Sequence, residues 1–376
     1  MNVIKLAEGE VPALQVRGRN AIVAITRHGV ERARALAEQM PVVDLYYMDK
    51  FRYGDEDERG IHLFQGTVRL LFPGLFPTYR GLILFISLGA VVRMIAPLLK
   101  DKKTDPGVVV VDDQGQFAIS MLSGHLGGAN ELAREVANLT GAQAVVTTAS
   151  DVQKTIPVDL LGQRFGWMWD EESEGNLTPA SAAVVNGEKV AIVQESGEKD
   201  WWMHDTPMPA NLTMYKSVGH AIESNPHSAL VITHRILSEE EKDSLPNLVV
   251  YRPKSIILGV GCNRGTEAEE IEMVIKETLE ELGFSLDSVK AIGTIDLKKD
   301  EEGLLQVCNK YGWKFVYYKP EELNEIPIEE PSDVVYRYTG AYGVSEPACK
   351  KYAGIEKLAV TKKKSGNVTL SVGIIP

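Results

Sequence analysis

The sequence is poor in cysteine and contains no long apolar run. Its three cysteines, Cys262, Cys308 and Cys349, are widely separated and odd in number, so they predict neither a disulfide framework nor a CxxC metal site. The longest uncharged apolar run, from Gly81 to Val92, is too short to span a bilayer, and the N-terminal residues lack the apolar core of a signal peptide. We therefore expect a reduced, cytoplasmic protein that is not embedded in a membrane.

Positive charge is also scarce, because 40 Lys and Arg face 52 Asp and Glu and the formal net charge is -12. Nucleic-acid-binding proteins need a basic surface, so we do not expect a nucleic-acid partner. The same charge disfavours long-range attraction of anions, so an anionic ligand must be held by local groups. The sequence lacks a GxxxxGK[ST] phosphate loop and a GxSxG serine elbow, which argues against a P-loop nucleotide enzyme and a serine hydrolase.

At 376 residues the chain exceeds one typical core, and strands alternate with helices along it. We expect an α/β protein of three domains, each with a largely parallel or mixed sheet flanked by helices. The predicted boundaries are 1–148, 149–253 and 254–376, with Arg252–Lys254 as a linker. The charged segment Asp49–Gly60 is expected to be a solvated or mobile loop.

The most informative stretch runs from Gly81 to Asn138 and contains two glycine turns, each between a strand and a helix. The first turn includes Gly89 and is followed by Arg93, and the second is Ser123–Asn130. Glycine lets a ligand approach the backbone, and a helix N-terminus presents unpaired N–H groups and a positive dipole end. We expect the two turns to lie near one another, an arrangement suited to a ligand with several negative groups. Tight strand-to-helix connections without a ligand are the alternative.

A third glycine turn, GVGCNRG at Gly259–Gly265, also leads into a helix. Its spacing is G-x-G-x-x-x-G, which does not match the G-x-G-x-x-G pattern of dinucleotide-binding proteins. Arg264 lies in this turn, and a polar cluster from Asp296 to Glu301 follows a later strand. Cys262 is a weak candidate nucleophile because no partner base is visible in the sequence.

Several of these stretches resemble the cobalt-precorrin-5A hydrolase family of anaerobic cobalamin biosynthesis. The resemblance covers LGAVVRMIAPLLKDKKTDPGVVVVDDQGQFAISMLSGHLGGANELA and the shorter segments LGVGCNRGT, TIDLKKDE and TGAYGVSEPA. Cys262-Asn263-Arg264 departs from the Cys-Arg pattern of the family, which places the contact made by the arginine in doubt. The resemblance implies hydrolytic opening of a δ-lactone of cobalt-precorrin-5A, release of acetaldehyde and formation of cobalt-precorrin-5B. It implies a cobalt-corrinoid substrate that carries the metal, no separate cofactor, and neighbouring methyltransferases of the pathway as partners.

Lactone opening needs an activated water and donors for the developing oxyanion. We predict His125 as the general base, since it precedes a helix N-terminus that should keep its imidazole neutral. Glu346 is a second acid–base candidate, although an acidic residue at a helix start is an equally good structural reading. The backbone N–H groups of Gly127 and Gly128 are candidates for the oxyanion site. The predicted substrate-binding residues are Gly89, Arg93, Ser123, Gly124, Gly127, Gly128, Asn130, Gly261, Arg264, Gly265, Asp296 and Lys298.

Two other functions remain open from the sequence. One is a phosphate or nucleotide enzyme that uses the same glycine turns. The other is a non-catalytic tetrapyrrole carrier or assembly protein, which a turnover measurement would distinguish from an enzyme. The sequence does not indicate the oligomeric state.

Overall fold

The computed structural model describes residues 3–375, which form three separate β-sheets with flanking helices. The predicted α/β fold class is confirmed. The chain divides into two compact units, Met1–Leu160 and Leu161–Pro376. The boundaries given for the three domains stay a prediction, and the outer ends of the first and last, Met1 and Pro376, lie outside the described residues.

The first unit is built on an eight-stranded sheet with the order β1-β4-β3-β2-β5-β6-β7-β8. Strands β1 to β6 are parallel, whereas β7 runs antiparallel to β6 and β8 runs parallel to β7. The strands are β1 (Ile4–Lys5), β2 (Asn20–Ala24), β3 (Val43–Met48), β4 (His62–Gln65), β5 (Gly81–Phe85), β6 (Gly107–Val111), β7 (Phe117–Leu122) and β8 (Gln143–Val145). The α-helices are α1 (Arg27–Gln39), α2 (Glu56–Arg59), α3 (Phe72–Leu75), α4 (Leu88–Ile95), α5 (Ala129–Thr140) and α6 (Ala149–Val152), with 3-10 turns at Asp49–Phe51, Val68–Leu70 and Ala96–Leu98.

Both faces of this sheet are covered, which explains the continuous apolar runs of its central strands. Ile22 and Ala24 of β2 pack with α1 and α5 on one face. Ala21 and Val23 of the same strand pack with α3 and α4 on the other face. The functional loops of this unit therefore emerge only at the two ends of the strands.

The second unit begins with a five-stranded sheet of order β11-β10-β12-β13-β9, in which only the short β9 is antiparallel to its neighbour. Its strands are β9 (Met168–Trp169), β10 (Val190–Gln194), β11 (Leu212–Tyr215), β12 (Ser228–Ile232) and β13 (Leu248–Arg252). Its helices are α7 (Leu177–Val185), α8 (Val218–Glu223) and α9 (Glu239–Asp243), with 3-10 turns at Gln163–Phe165 and Glu171–Asn176.

The third sheet, also in the second unit, has the order β16-β15-β14-β18-β17 and is mixed. Its strands are β14 (Ile256–Cys262), β15 (Val289–Ile295), β16 (Lys314–Tyr318), β17 (Val360–Ser365) and β18 (Val368–Ile374). Its helices are α10 (Ala268–Glu281), α11 (Glu302–Tyr311), α12 (Pro320–Asn324), α13 (Asp333–Thr339) and α14 (Ser345–Ala353), with 3-10 turns at Leu286–Ser288 and Asp296–Lys298. A Cβ on Gly259 would lie 1.8 Å from the carbonyl oxygen of Ser345, so glycine lets α14 pack closely on β14.

The connection between the second and third sheets is tightly packed. Arg252 is 3% exposed and donates two hydrogen bonds of 2.6 Å to Asp170. Backbone hydrogen bonds join the segment 234–236 to residues 283–285. The predicted linker Arg252–Lys254 lies between β13 of the second sheet and β14 of the third, and its first residue is part of a buried ion pair.

The segment Asp49–Gly60 is also more ordered than its charges predicted. Glu56 is fully buried and accepts hydrogen bonds from the Tyr47 hydroxyl and the N–H groups of Tyr53 and Gly54. The expectation of a solvated segment holds for Lys50, Arg52, Asp57 and Glu58, which are exposed, and is wrong for Glu56, whose buried carboxylate these donors satisfy. None of the helices within residues 3–375 is long and apolar enough to cross a membrane.

Candidate active site

His125 stands at the centre of a charged cluster in the first unit. Its Nε2 atom lies 3.1 Å from Oδ2 of Asp151, and its Nδ1 atom lies 3.0 Å from Oδ1 of Asp159. The hydroxyl of Ser150 is a further neighbour, 3.1 Å from Nε2. Both ring nitrogens face oxygen atoms, and only 18% of the side chain is exposed. The ring therefore connects the loop after β7 to the segment 150–159.

Asn130 and Arg134 of α5 complete this cluster. The Asn130 amide nitrogen donates to Oγ1 of Thr148 at 2.7 Å and to Oδ2 of Asp151 at 2.9 Å, and its oxygen accepts from Ser120 at 2.6 Å. Arg134 donates to the second oxygen of Asp151. The predicted substrate-binding amide of Asn130 is thus occupied by protein groups, and the residue is 3% exposed.

The two carboxylates determine the protonation state of His125. Hydrogen bonds with Asp151 and Asp159 raise the pKa of His125 from 6.5 to about 9, although burial opposes this. The hydrogen bond with His125 in turn lowers the pKa of Asp151 from 3.8 to about 2. The ring is therefore an imidazolium at neutral pH, and the prediction of a neutral ring is wrong. Two carboxylates at hydrogen-bond distance outweigh a helix dipole, which is worth about 0.3–1 kcal/mol.

The loop from Ser123 to Gly128 is held by its own backbone. Gly128 donates its N–H to the carbonyl oxygen of His125 at 2.8 Å, and Ala129 donates to that of Ser123 at 3.1 Å. The N–H of Gly128, predicted for the oxyanion, is consequently used within the loop, whereas these bonds do not use that of Gly127. A Cβ on Gly127 would lie 2.3 Å from the Cβ of Ser123, so this close turn requires glycine.

Ser123 is strained in the same loop. Its φ of 53° lies in the left-handed region, which is uncommon for a residue other than glycine. Its buried hydroxyl has no hydrogen-bond partner in the described part of the chain. The carbonyl of Gly124, by contrast, accepts the N–H of Asn130 at 3.0 Å. Strain and an unpaired hydroxyl are features of functional loops, so Ser123 stays a candidate ligand contact.

The first glycine turn, with Gly89 and Arg93, lies at the opposite edge of the sheet from this loop. Val108 at the start of β6 pairs with Leu122 at the end of the antiparallel β7, and β5 runs parallel to β6. The turn after β5 is therefore about one strand length, roughly 15 Å, from the loop after β7. The prediction that the two turns lie near one another is wrong. Arg93 is exposed, away from the His125 cluster.

The second unit contains a cavity of about 620 Å³ beside the carboxyl ends of β14 and β15. Its apolar wall consists of large side chains that are unusually exposed: Leu297 (49%), Val334 (63%), Tyr338 (82%) and Tyr342 (40%). A cavity of this volume, with apolar walls and a few polar groups, is typical of a small-molecule site. Ligands of open α/β sheets also bind outside the carboxyl ends of strands.

Four predicted residues, Gly261, Arg264, Lys298 and Glu346, line this one cavity. They come from three separate stretches of sequence, which the third sheet and α14 bring together. A Cβ added to Gly261 would be in ordinary van der Waals contact with Val344 at 3.6 Å and with Thr369 at 3.9 Å.

The predicted carboxylate-binding cations Arg264 and Lys298 are already paired. Oε2 of the buried Glu301 lies 3.0 Å from Nζ of Lys298 and 3.4 Å from Nη1 of Arg264. Arg264 also pairs with Asp300 at 2.8 Å, and Oε1 of Glu301 accepts the N–H of Gly265 at 2.7 Å. Two protein carboxylates therefore neutralise these two cations.

Glu346 is at the cavity wall but only 5% exposed. Its Oε1 accepts hydrogen bonds from Nζ of Lys350 at 2.6 Å and from the N–H of Glu329 at 3.1 Å. It also lies in the first turn of α14, where negative charge is favourable. These contacts support the structural reading, whereas the position at the cavity supports the catalytic one. The role of Glu346 as an acid or base stays a prediction.

Of two other polar residues at the ends of these strands, Cys262 lines the cavity and Asp296 does not. Asp296 follows β15 but does not line the cavity, and its Oδ1 is buried without a hydrogen-bond partner among residues 3–375. Cys262 lines the cavity, and burial raises the pKa of its thiol above the usual 9.0. The thiol is therefore protonated at neutral pH, which disfavours it as a nucleophile.

Lys362 and Lys364 of β17 also line the cavity, and sequence analysis missed them. A run of three lysines on a strand was the available signal, because alternate side chains of a strand face the same side. Asp151 and Asp159, the partners of His125, were likewise missed. Their separation in sequence from His125 offered no recognisable spacing.

The described residues 3–375 contain no group of three or more His, Cys, Asp or Glu side chains that could hold a metal ion. The expectation that cobalt arrives only with the substrate stays a prediction.

Comparison with known proteins gives a consistent result over the whole chain. Three family models match it: "Cobalamin synthesis G N-terminal" at residues 71–151, "Cobalamin biosynthesis central region" at 156–253 and "Cobalamin synthesis G C-terminus" at 256–373. The chain is 62% identical over 374 residues to a cobalt-precorrin-5A hydrolase of Priestia megaterium, covering 100% of both proteins. It is 30% identical over 359 residues to that of Salmonella typhimurium, covering 94% of this chain and 97% of the relative. The crystal structure of CobE, a protein from the cobalamin biosynthetic pathway, matches 31% of this chain and 88% of its own, with 30% identity and a TM-score of 0.29.

Proposed function

The chain belongs to the cobalt-precorrin-5A hydrolase family, and we propose that it binds its corrinoid substrate in the cavity of the third sheet. The protein is a hydrolase of cobalamin biosynthesis. The reaction opens the δ-lactone of cobalt-precorrin-5A and releases acetaldehyde to give cobalt-precorrin-5B. Cobalt is part of the substrate.

The cavity of about 620 Å³ is the observation that carries this proposal. Tyr338 and Tyr342 offer exposed aromatic surface to a flat macrocycle, and burial of such surface favours binding. Four cationic side chains and two carboxylates line the cavity, in contrast to the net charge of -12 of the whole chain. Of these cations, Arg264 and Lys298 are paired with Asp300 and Glu301, so Lys362 and Lys364 are the ones that support binding of a substrate with several peripheral carboxylates.

Hydrolysis in this cavity requires a group that accepts a proton from water as the water oxygen attacks the lactone carbonyl. Glu346 is the carboxylate best placed for this role, since Lys350 and the Glu329 N–H engage one oxygen and leave Oε2 for a water. Lys298 uses one contact for Glu301, and its remaining donors can stabilise the oxyanion. Collapse of the tetrahedral adduct expels the lactone oxygen as an alkoxide, and this alkoxide becomes the carbonyl of acetaldehyde as the adjacent carbon–carbon bond breaks. Acetaldehyde then leaves, and the electron pair of that bond passes to the macrocycle.

His125 has a different role in this proposal from the one predicted. Since both ring nitrogens are paired with carboxylates and the ring is cationic at neutral pH, His125 holds the loop 123–128 in place. Ser123, whose buried hydroxyl has no hydrogen-bond partner among residues 3–375, stays the predicted ligand contact of that loop.

The cavity can be tested by filling it from an exposed position. Val334→Trp places a large ring at the apolar wall, where the native side chain is 63% exposed, so the fold should be little affected. We expect a raised KM for acetaldehyde release and weaker corrinoid binding by absorbance titration. Met273→Trp on α10, at a site 50% exposed and outside the cavity, is the matched control. Equal kinetics for both variants would remove the cavity from the substrate site.

A carrier function is the second candidate, and one observation favours it. The strongest acid–base candidates, His125 and Glu346, are each engaged in ion pairs within the protein. A carrier would bind the corrinoid without releasing acetaldehyde, so the aldehyde assay separates the two functions. For the hydrolase, we also propose that it works in the cytoplasm. We further propose that it exchanges pathway intermediates with neighbouring methyltransferases.

A further inference from the structure

The edge strand β17 carries three consecutive lysines that point in alternate directions. Lys362 and Lys364 line the cavity of about 620 Å³ and an adjoining depression of about 460 Å³. Lys363 points away and pairs with Glu281 at the end of α10, with 2.7 Å between Nζ and Oε2. This alternation is what the two-residue period of a strand dictates.

The pairing of β17 with β18 agrees with these alternate side-chain directions. Lys364 pairs with Thr369, which also lines the cavity. Lys363 pairs with Leu370, a fully buried residue of the core formed with α10. The two sides of β17 therefore belong to different surroundings, one facing the cavity and the other facing α10.

The charges of Lys362 and Lys364 are more available than those of the other cavity cations. Arg264 and Lys298 are paired with Asp300 and Glu301. Lys364 forms no salt bridge with any described residue from 3 to 375, and it is exposed. Lys362 lies 4.0 Å from Glu330, a side chain that is 82% exposed and free to move away.

We propose that Lys362 and Lys364 are specificity-determining residues that select corrinoids with free carboxylates over neutral, amidated ones. The inference rests on the proposed function, since it places the corrinoid in this cavity. Two available cations at the rim complement peripheral carboxylates, whereas a carboxamide gains no charge–charge attraction there. Selection by these residues requires that any reaction amidating these side chains acts after this enzyme.

Lysines on an edge strand also protect sheets from aggregation. That role applies equally to Lys363, which lies on the same strand but faces α10. Lys363 is thus a built-in control for the general effect of charge on β17.

The experiment compares the full-length protein with a Lys362→Gln/Lys364→Gln double variant and with Lys363→Gln. The two unreactive probes are cobyrinic acid, a cobalt corrinoid with free carboxylates, and the same macrocycle with all carboxylates converted to carboxamides. Binding is measured by absorbance titration at low and high salt, and each probe is also tested as an inhibitor of acetaldehyde release. Circular dichroism verifies that each variant is folded.

We expect wild type and Lys363→Gln to bind the acid about tenfold more tightly than the amide at low salt, with the preference reduced at high salt. The double variant should lose this preference through weaker binding of the acid, while its affinity for the amide is unchanged. A preference retained in the double variant, or lost equally in Lys363→Gln, would overturn the inference while leaving the cavity as the substrate site. If neither probe binds wild type and Val334→Trp has normal kinetics, the proposed function fails and the inference fails with it.

Discussion

Replacement of His125 by Gln should change how the stability of the first unit depends on pH. The native imidazolium is paired with Asp151 and Asp159, and its pKa is raised from 6.5 to about 9. Between these two values the native state binds more protons than the unfolded state, so its stability falls as pH rises. The stabilisation is fully present below pH 6.5 and is lost as pH rises through 9.

The size of this effect follows from the raised pKa. At about 1.4 kcal/mol per pKa unit, the rise in the His125 pKa from 6.5 to about 9 corresponds to roughly 3 kcal/mol of folding stability. The low pKa of Asp151, about 2, arises largely from the same pairing, so its free energy is not added. The ionised Asp151 carboxylate stabilises the native state fully above pH 3.8, and this stabilisation is lost as the pH falls through about 2. The cluster is therefore most stabilising between about pH 4 and 6.5.

The distribution of tryptophan makes the measurement selective. All five tryptophans, at positions 167, 169, 201, 202 and 313, lie in the unit Leu161–Pro376. Tryptophan fluorescence during urea unfolding therefore reports the second unit, whereas far-UV circular dichroism reports both. In wild type we expect the circular-dichroism transition of the first unit to weaken by roughly 3 kcal/mol from pH 6.5 to 9. In His125→Gln that transition should start weaker at pH 6.5 and vary little over this range, because two carboxylates then face each other without the cation.

His28→Gln is the matched control, since His28 belongs to the same unit and its side chain is 65% exposed. This variant should retain the wild-type pH dependence. The reasoning would be refuted by a wild-type first unit that is equally stable at pH 6.5 and 9, or by His125→Gln retaining the full pH dependence.

Three further predictions concern the second unit. Glu346→Gln should lower kcat for acetaldehyde release by roughly 10²–10⁴ with little change in KM, if this carboxylate accepts the proton from water. Gly259→Ala should lower the urea midpoint reported by tryptophan fluorescence, because the new Cβ would lie 1.8 Å from the carbonyl oxygen of Ser345. A fragment of residues 161–376 should unfold in one cooperative transition, whereas a fragment of 254–376 should be less stable because it loses the hydrogen bonds between 234–236 and 283–285.

Controls for these predictions come from the same unit. Glu330→Gln removes an exposed cavity carboxylate and should leave kcat unchanged, so equal losses in both variants would argue against a special role for Glu346. Gly219→Ala in α8, where an added Cβ has its nearest contact at 3.9 Å, should not lower the fluorescence midpoint, because alanine is the better helix former. A fragment of 254–376 as stable as 161–376 would show that the contacts between the second and third sheets contribute little.

Local signals in the sequence predicted the α/β class and four residues that line the cavity, including Gly261 and Arg264. Arg264 and Lys298 follow the adjacent parallel strands β14 and β15, whose carboxyl ends lie side by side, whereas Gly261 lies within β14 and Glu346 in α14. The error about the two glycine turns arose from strand direction. The turn at Asp113–Gly115 reverses the chain between β6 and β7, so the loop after β7 lies at the opposite edge of the sheet from the turn after β5.

Contacts between distant residues could not be predicted in this way. Asp151 and Asp159 are separated from His125 in the sequence by α5 and β8, and the fold brings them to 3.1 Å and 3.0 Å from its ring nitrogens. The imidazolium state of His125 depends on these contacts, so reasoning from its local sequence gave the wrong charge. The lysines of β17, by contrast, could have been noticed from the run Lys362–Lys364, because alternate side chains of a strand face the same side.

The most direct test of the account is the stoichiometry of acetaldehyde release by the purified full-length protein. Cobalt-precorrin-5A would be mixed with the protein without oxygen, and acetaldehyde and the corrinoid spectrum would be followed together. The account predicts one acetaldehyde for each corrinoid consumed, over many turnovers, with KM raised by Val334→Trp and unchanged by Met273→Trp. A corrinoid that binds with a spectral change, but yields no acetaldehyde, would contradict the account and identify the protein as a carrier.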